Sequence, residues 1–108
     1  MNILFVCSRN KWRSLTAETI FKDNQYHEIR SAGTATDARI RVNEKLINWA
    51  SLIFVMEKRH KQILREKFNH LLAGKEIIVL DIKDNYQYMD EELIETLIRS
   101  VTPYLQKW

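Results

Sequence analysis

A chain of 108 residues that is 45% hydrophobic has material for one well-formed core and no second, so a single domain over residues 1–108 is expected. Seventeen basic residues stand among fourteen acidic ones, leaving a formal charge of +3 with no basic block, which gives no nucleic-acid footprint. The single Cys excludes an internal disulfide framework and suits a reducing compartment, and the three scattered His carry no metal-ligand spacing.

Met1-Asn2 leads straight into a strand pattern with no basic leader, long apolar run or small-residue cleavage site behind it. A cytoplasmic protein with no membrane partner is the expectation. The first strand is expected over residues 2–6, where Ile3-Leu4-Phe5-Val6 is wholly apolar. A helix follows over 13–23, with Leu15, Ala17, Ile20 and Phe21 toward the core. A second strand covers 28–31, and a second helix 38–49 presents Val42, Leu46, Ile47 and Ala50. The third strand, 52–56, and the fourth, 76–81, are β-branched and aromatic runs of the kind buried on both faces of a sheet. Between them a helix over 58–72 offers Ile63, Leu64, Phe68 and Leu71, with Gly74 as its stop. The last helix starts after Asp90, a capping residue followed by Glu91 and Glu92, and carries Leu93, Ile94, Leu97, Ile98 and Val101. Pro103 is expected to end or kink it.

Strands alternating with helices imply an α/β fold, a four-stranded parallel sheet with right-handed crossovers and helices on both faces. In such sheets ligands gather at the carboxyl ends of strands, near a change in strand order. Cys7, Gly33-Thr34, Glu57 and the 81–86 segment all fall at such ends, so the candidate chemistry converges on one edge.

The run Cys7-Ser8-Arg9-Asn10-Lys11-Trp12-Arg13-Ser14 is the richest in the chain. A loop wound back between a strand and a helix can point successive N–H groups at one centre, which binds an oxyanion. The helix N-terminus adds open donors and the positive end of its dipole. Arg13 can close the ring with a planar guanidinium, and a cradle of this sign favours thiolate over thiol. Read alone, a Cys after a buried strand is more often a small core residue; the strand before and the helix after are what give this spacing weight. Trp12, Tyr86 and Tyr88 are candidate aromatic walls, with Trp12 the best placed. The Ser31–Thr34 run reads as structural, and His60 as a surface or helix-capping residue.

These motifs resemble the low-molecular-weight protein tyrosine phosphatase family and its flavodoxin-like fold. The likeness rests on Cys7 through Ser14 with Ala17-Glu18 beyond, Ser31-Ala32-Gly33-Thr34 after the second strand, Ile53 to Met56 followed by His60, and Asp84-Asn85-Tyr86. It implies hydrolysis of aryl phosphate monoesters, such as phosphotyrosine, through a cysteinyl-phosphate, with no cofactor and no metal. Cys7 would be the nucleophile, Arg13 the oxyanion clamp, Ser14 a donor to the thiolate and Asn10 the loop's brace. Asp84 would be the general acid, with Asp81 the second choice. Ser8, Arg9, Asn10, Lys11, Trp12 and Ser14 make up the substrate-binding loop, which would hold phosphate or sulfate. A phosphorylated protein or a small aryl phosphate would be the partner. Arg9 stands where the family has Gly, a place at which a positive φ would strain the loop. Leu15 and Asn85 replace prolines, and Trp12 a second cysteine. The alternative is a pseudophosphatase that binds oxyanions or phosphoproteins without turnover. Single-Cys chemistry argues against a disulfide-relay arsenate reductase, and Arg13-Ser14 against a phosphocysteine sugar carrier.

Overall fold

The computed structural model describes residues 1–105. Four parallel strands, β1 (Asn2–Cys7), β2 (Glu28–Gly33), β3 (Leu52–Val55) and β4 (Glu76–Val79), are ordered β2-β1-β3-β4. Their register pairs Cys7 with Gly33 and Val6 with Val55. The α/β architecture expected from the sequence is present: α1 (Arg13–Phe21), α2 (Glu44–Trp49), α3 (Lys58–Phe68) and α4 (Glu91–Leu105) join and cover the strands.

Side chains alternate across a strand, and this alternation sorts the core into two halves. Ile3, Phe5 and Cys7 with Leu52, Phe54 and Met56 face Ala17 of α1 and Leu93, Leu97 and Val101 of α4. Phe5 stacks on Phe54 and on Phe21, at centroid distances of 5.2 and 5.8 Å. Leu4, Val6, Ile53 and Val55 point the other way, onto Ile47 of α2 and Leu64 of α3. Burying each such side chain contributes about 1.5–3 kcal/mol. The central strands are therefore fixed on both faces, and Cys7 inherits a rigid support.

The departures from expectation have local causes. β4 is only half-buried because it lies at the edge of the sheet, with β3 as its one neighbour. It ends at Val79, and the backbone leaves the strand through Asp81, which has φ 61°. The second helix starts at Glu44 rather than 38, capped by Asn43 Oδ1 accepting from Leu46 N at 2.9 Å. Residues 34–41 instead spend their backbone bonds on the loop after β1. The third helix closes in a 3-10 turn, Asn69–Leu71, before Gly74 at φ +78°. Asp90 caps α4 as expected, accepting from Glu92 N, but the helix neither stops nor breaks at Pro103 and runs to Leu105. Leu15, Ile63, Ile94 and Ile98 lie outside the two core clusters, Ile98 being 47% exposed, while the polar Thr16 and His60 are buried on α1 and α3.

Candidate active site

The strand order turns at β1, with β2 to one side and β3 to the other, so a crevice opens beyond the carboxyl ends of β1 and β3. Cys7 ends β1, and Glu57 follows β3 just before α3. A cleft of about 300 Å³ lies there, lined by Cys7, Ser8, Arg9, Lys11, Trp12, Arg13, Arg59 and Asp84.

The loop after β1 is held from beneath. Asn10 takes the left-handed conformation, φ 59°, which Asn tolerates better than most residues. That conformation turns its amide back to Cys7 Sγ at 3.3 Å and buries its side chain. Asn10 Nδ2 donates to Ser14 Oγ and to Ser31 Oγ, both at 2.8 Å, and Ser31 Oγ donates to Glu18. Asn10 Oδ1 is buried with no hydrogen-bond partner among the described residues. Ser14 Oγ lies 2.9 Å from Cys7 Sγ. The sulfur thus has a hydroxyl and a backbone amide within hydrogen-bonding distance.

From the side, the 34–41 strap ties the loop down through Thr34 N to Cys7 O, Ala35 N to Ser8 O and Arg39 N to Arg9 O, each at 2.9 Å. Gly33 allows this approach: a Cβ there would stand 2.4 Å from Ser8 O and 2.8 Å from the Ala38 Cβ. Arg9 is not among the residues with positive φ, so the loop accepts a side chain at that position without strain. Its exposed guanidinium lies 3.7 Å from Asp37. Trp12, 45% exposed, holds the N-cap position of α1 and makes no capping bond, so the first-turn amides of α1 keep no side-chain partner there.

Arg13 is 2% exposed, and its charge is compensated within the fold. Nη1 donates to Glu57 Oε2 at 2.6 Å and to the Ile82 carbonyl at 2.8 Å. Nε lies 3.6 Å from Asp84 Oδ1. One amino group of the fork is thus committed to the scaffold, and Nε on the other edge faces the Asp84 carboxylate. Burial by itself raises the Glu57 carboxyl, but the hydrogen bonds and charges of Arg59 and Arg13 outweigh it and hold Glu57 down to about 2.

Of the residues expected at the site, Cys7, Ser8, Arg9, Lys11, Trp12, Arg13 and Asp84 line the cleft, whereas Asn10 and Ser14 lie buried under it. Asp81 is exposed and takes no part in the lining. Tyr86 packs against the core and the Tyr88 hydroxyl lies 2.9 Å from Thr19 Oγ1, and neither lines this cleft. Sequence reasoning placed Glu57 at the converging strand ends and read His60 as a surface or capping residue without giving either a role at the site, and it did not single out Arg59. Glu57 and His60 form a reciprocal cap at the start of α3, with Glu57 N donating to His60 Nδ1 at 3.1 Å. A polar pair three residues apart directly after a strand was the available signal. His60 caps as expected, but it is fully buried, not on the surface.

The family described as low molecular weight phosphotyrosine protein phosphatase has a model that matches residues 2–50, which span β1 through α2 and the whole loop. No curated relative matches the chain with significance. Among solved structures, the YwlE arginine phosphatase of Geobacillus stearothermophilus is similar at 23% identity and TM-score 0.75, covering 98% of this chain and 93% of its own. Vibrio vulnificus Wzb, solved with benzylphosphonate, is similar at 21% identity and TM-score 0.80, covering 99% and 98%. The tyrosine phosphatase Wzb of Escherichia coli K30, solved with phosphate, gives 19% identity and TM-score 0.79 over 98% and 96%. These likenesses establish the fold, and over residues 2–50 the family model bears out the resemblance read from the motifs.

Proposed function

We propose that this chain, which carries the fold of the low-molecular-weight tyrosine phosphatases and matches their family model from β1 to α2, is a cysteine-dependent phosphatase of aryl phosphate monoesters, phosphotyrosine in proteins foremost. The observation that carries the reading is the sulfur of Cys7, bonded by Ser14 and by the Asn10 amide, sharing one cleft with a scaffold-anchored Arg13 and with Asp84.

The chemistry follows from that arrangement. The thiolate of Cys7 attacks phosphorus in line, forming an S–P bond as the P–O bond to the aryl group breaks. Loop amides and Arg13 bind the equatorial oxygens, where the charge of the transition state is spread. Asp84 gives its proton to the departing phenolic oxygen and afterwards takes one from water, which attacks phosphorus and returns the thiolate with inorganic phosphate. Ser14, donating to the sulfur, stabilises it as a leaving group in that second step. No step calls for a metal or a cofactor. Trp12 offers a face to the aryl ring at the cleft's edge. No helix among the described residues is long and apolar enough to cross a membrane, and we place the activity in the cytoplasm.

The test is hydrolysis of p-nitrophenyl phosphate and of a phosphotyrosine peptide by reduced protein in chelator at mildly acidic pH, with phosphoarginine alongside. Metal-free turnover of the aryl esters, lost in Cys7→Ala and Arg13→Ala, is expected. No turnover by the parent, or full activity in Cys7→Ala, refutes the proposal. Phosphate binding without turnover would make the chain an oxyanion-binding pseudophosphatase.

A further inference from the structure

We propose that the Ser8 hydroxyl is a directed hydrogen-bond donor to the oxyanion in this cleft, with His60 the positioning residue that aims it. The inference rests on the oxyanion-binding reading of the loop and adds a side-chain donor to its amides and guanidinium.

Direction follows from the chain of bonds. A backbone N–H can only donate, so His60 Nδ1, which Glu57 N reaches at 3.1 Å, is an acceptor. A neutral imidazole then carries its proton on Nε2. Burial, reinforced by the charges of Arg13 and Arg59, lowers His60 to about 4, so the neutral ring prevails at working pH. Nε2–H therefore donates to Ser8 Oγ, 2.9 Å away, and the serine oxygen is the acceptor. That is the one hydrogen bond of the Ser8 side chain among the described residues. Its own proton is left to rotate toward another acceptor, and Ser8 lines the cleft beside Cys7 and Arg13. Accepting from Nε2–H also polarises the O–H, making it a stronger donor to an anion. His60 is fully buried and locked into the start of α3, so the oxygen it holds is fixed relative to β3. The relay runs from Glu57 N–H through imidazole to Ser8 O–H and ends in the cleft.

The experiment is calorimetric titration with inorganic phosphate of the parent, Ser8→Ala and Ser8→Thr, with metal-free p-nitrophenyl phosphate kinetics on the same samples. Ser8→Ala is expected to weaken phosphate by about 10- to 100-fold, the worth of one hydrogen bond to a charged group, and to raise KM by more than it lowers kcat. Ser8→Thr, which keeps the hydroxyl, should restore most of that loss. His60→Leu should weaken phosphate as Ser8→Ala does, and the double variant should be no worse than Ser8→Ala, since the two act through one bond. Should His60→Leu fail to fold, the Ser8 pair decides alone.

A parent that binds and hydrolyses normally while Ser8→Ala matches it within about twofold, or Ser8→Thr as weak as Ser8→Ala, overturns the relay and leaves the phosphatase reading intact. A parent that binds phosphate without turning over ester, with Ser8→Ala weakened, supports the relay while the catalytic reading fails. A parent that binds no phosphate overturns both.

Discussion

A guanidinium that is 2% exposed is costly to hold unless it is paired, and Arg13 meets that cost with Glu57 on one side and the Ile82 carbonyl on the other. What these bonds gain is orientation: a flat fork with one edge anchored presents the other at a fixed angle. Arg13→Lys keeps the charge and loses the fork, so kcat/KM is expected to fall about 10²–10³-fold with the fold retained; activity within a few-fold of the parent would contradict this role. Asp84 differs in that its side chain is 48% exposed and faces the cleft 3.6 Å from Arg13 Nε. In the first transfer to Cys7, read as the pre-steady-state release of the phenol, Asp84→Asn should slow phenyl phosphate by about 10²–10⁴-fold and p-nitrophenyl phosphate far less, because a good leaving group needs no proton. Equal losses on both esters would remove Asp84 from the acid's role and reopen Asp81. Cys7, Arg13 and Ser14 could be read from the sequence because their spacing is local. Glu57 was legible only as a residue at a strand end and His60 only as a surface or capping residue, since the contacts that draw them into the site cross 44 and 52 residues.

The loop is a brace of three elements: the carboxyl end of β1, the first turn of α1, and the strap that follows β2. Gly33 is where they meet. Gly33→Ala would drive a methyl against Ser8 O at 2.4 Å, a backbone atom that cannot swing aside. The expected result is a loss of about 1–3 kcal/mol in urea unfolding, together with weakened phosphate binding from a displaced Ser8. Unchanged stability and unchanged binding would mean the strap does not shape the loop. Sequence patterning extended the second helix back to 38 because Val42, Leu46 and Ile47 fit its period. The shorter helix reflects backbone bonds from Gly33, Arg39 and Val42 that only the assembled loop can offer. Element type was legible where side chains repeat, and lost where partners lie far along the chain.

At the scale of the molecule, the groups behind the cleft couple stability to acid. His60 has its pKa lowered from 6.5 to about 4, so between those values the unfolded chain binds a proton that the native protein refuses. Stability therefore rises with pH across that window, is fully present above 6.5, and is lost as pH falls toward 4, by on the order of 3 kcal/mol. Glu57, depressed from 4.5 to about 2, adds a second loss as pH falls from 4.5 to 2. Urea midpoints from pH 7 to 4 should decline in the parent and decline less in His60→Gln; parallel curves would contradict the buried neutral imidazole. The parallel sheet was legible because four apolar runs alternate with helical ones. That β4 would be an edge strand was not, because its Ile77-Ile78-Val79 run is as apolar as the strands at the centre.

The account depends on phosphorus passing through sulfur. The most direct measurement is acid-quenched mass spectrometry of the protein during turnover of p-nitrophenyl phosphate, with peptide mapping of any added phosphoryl group. A single phosphoryl on Cys7, present in the parent and absent from Cys7→Ala, is predicted. Steady hydrolysis with Cys7 unmodified, or with the phosphoryl on another residue, would contradict it.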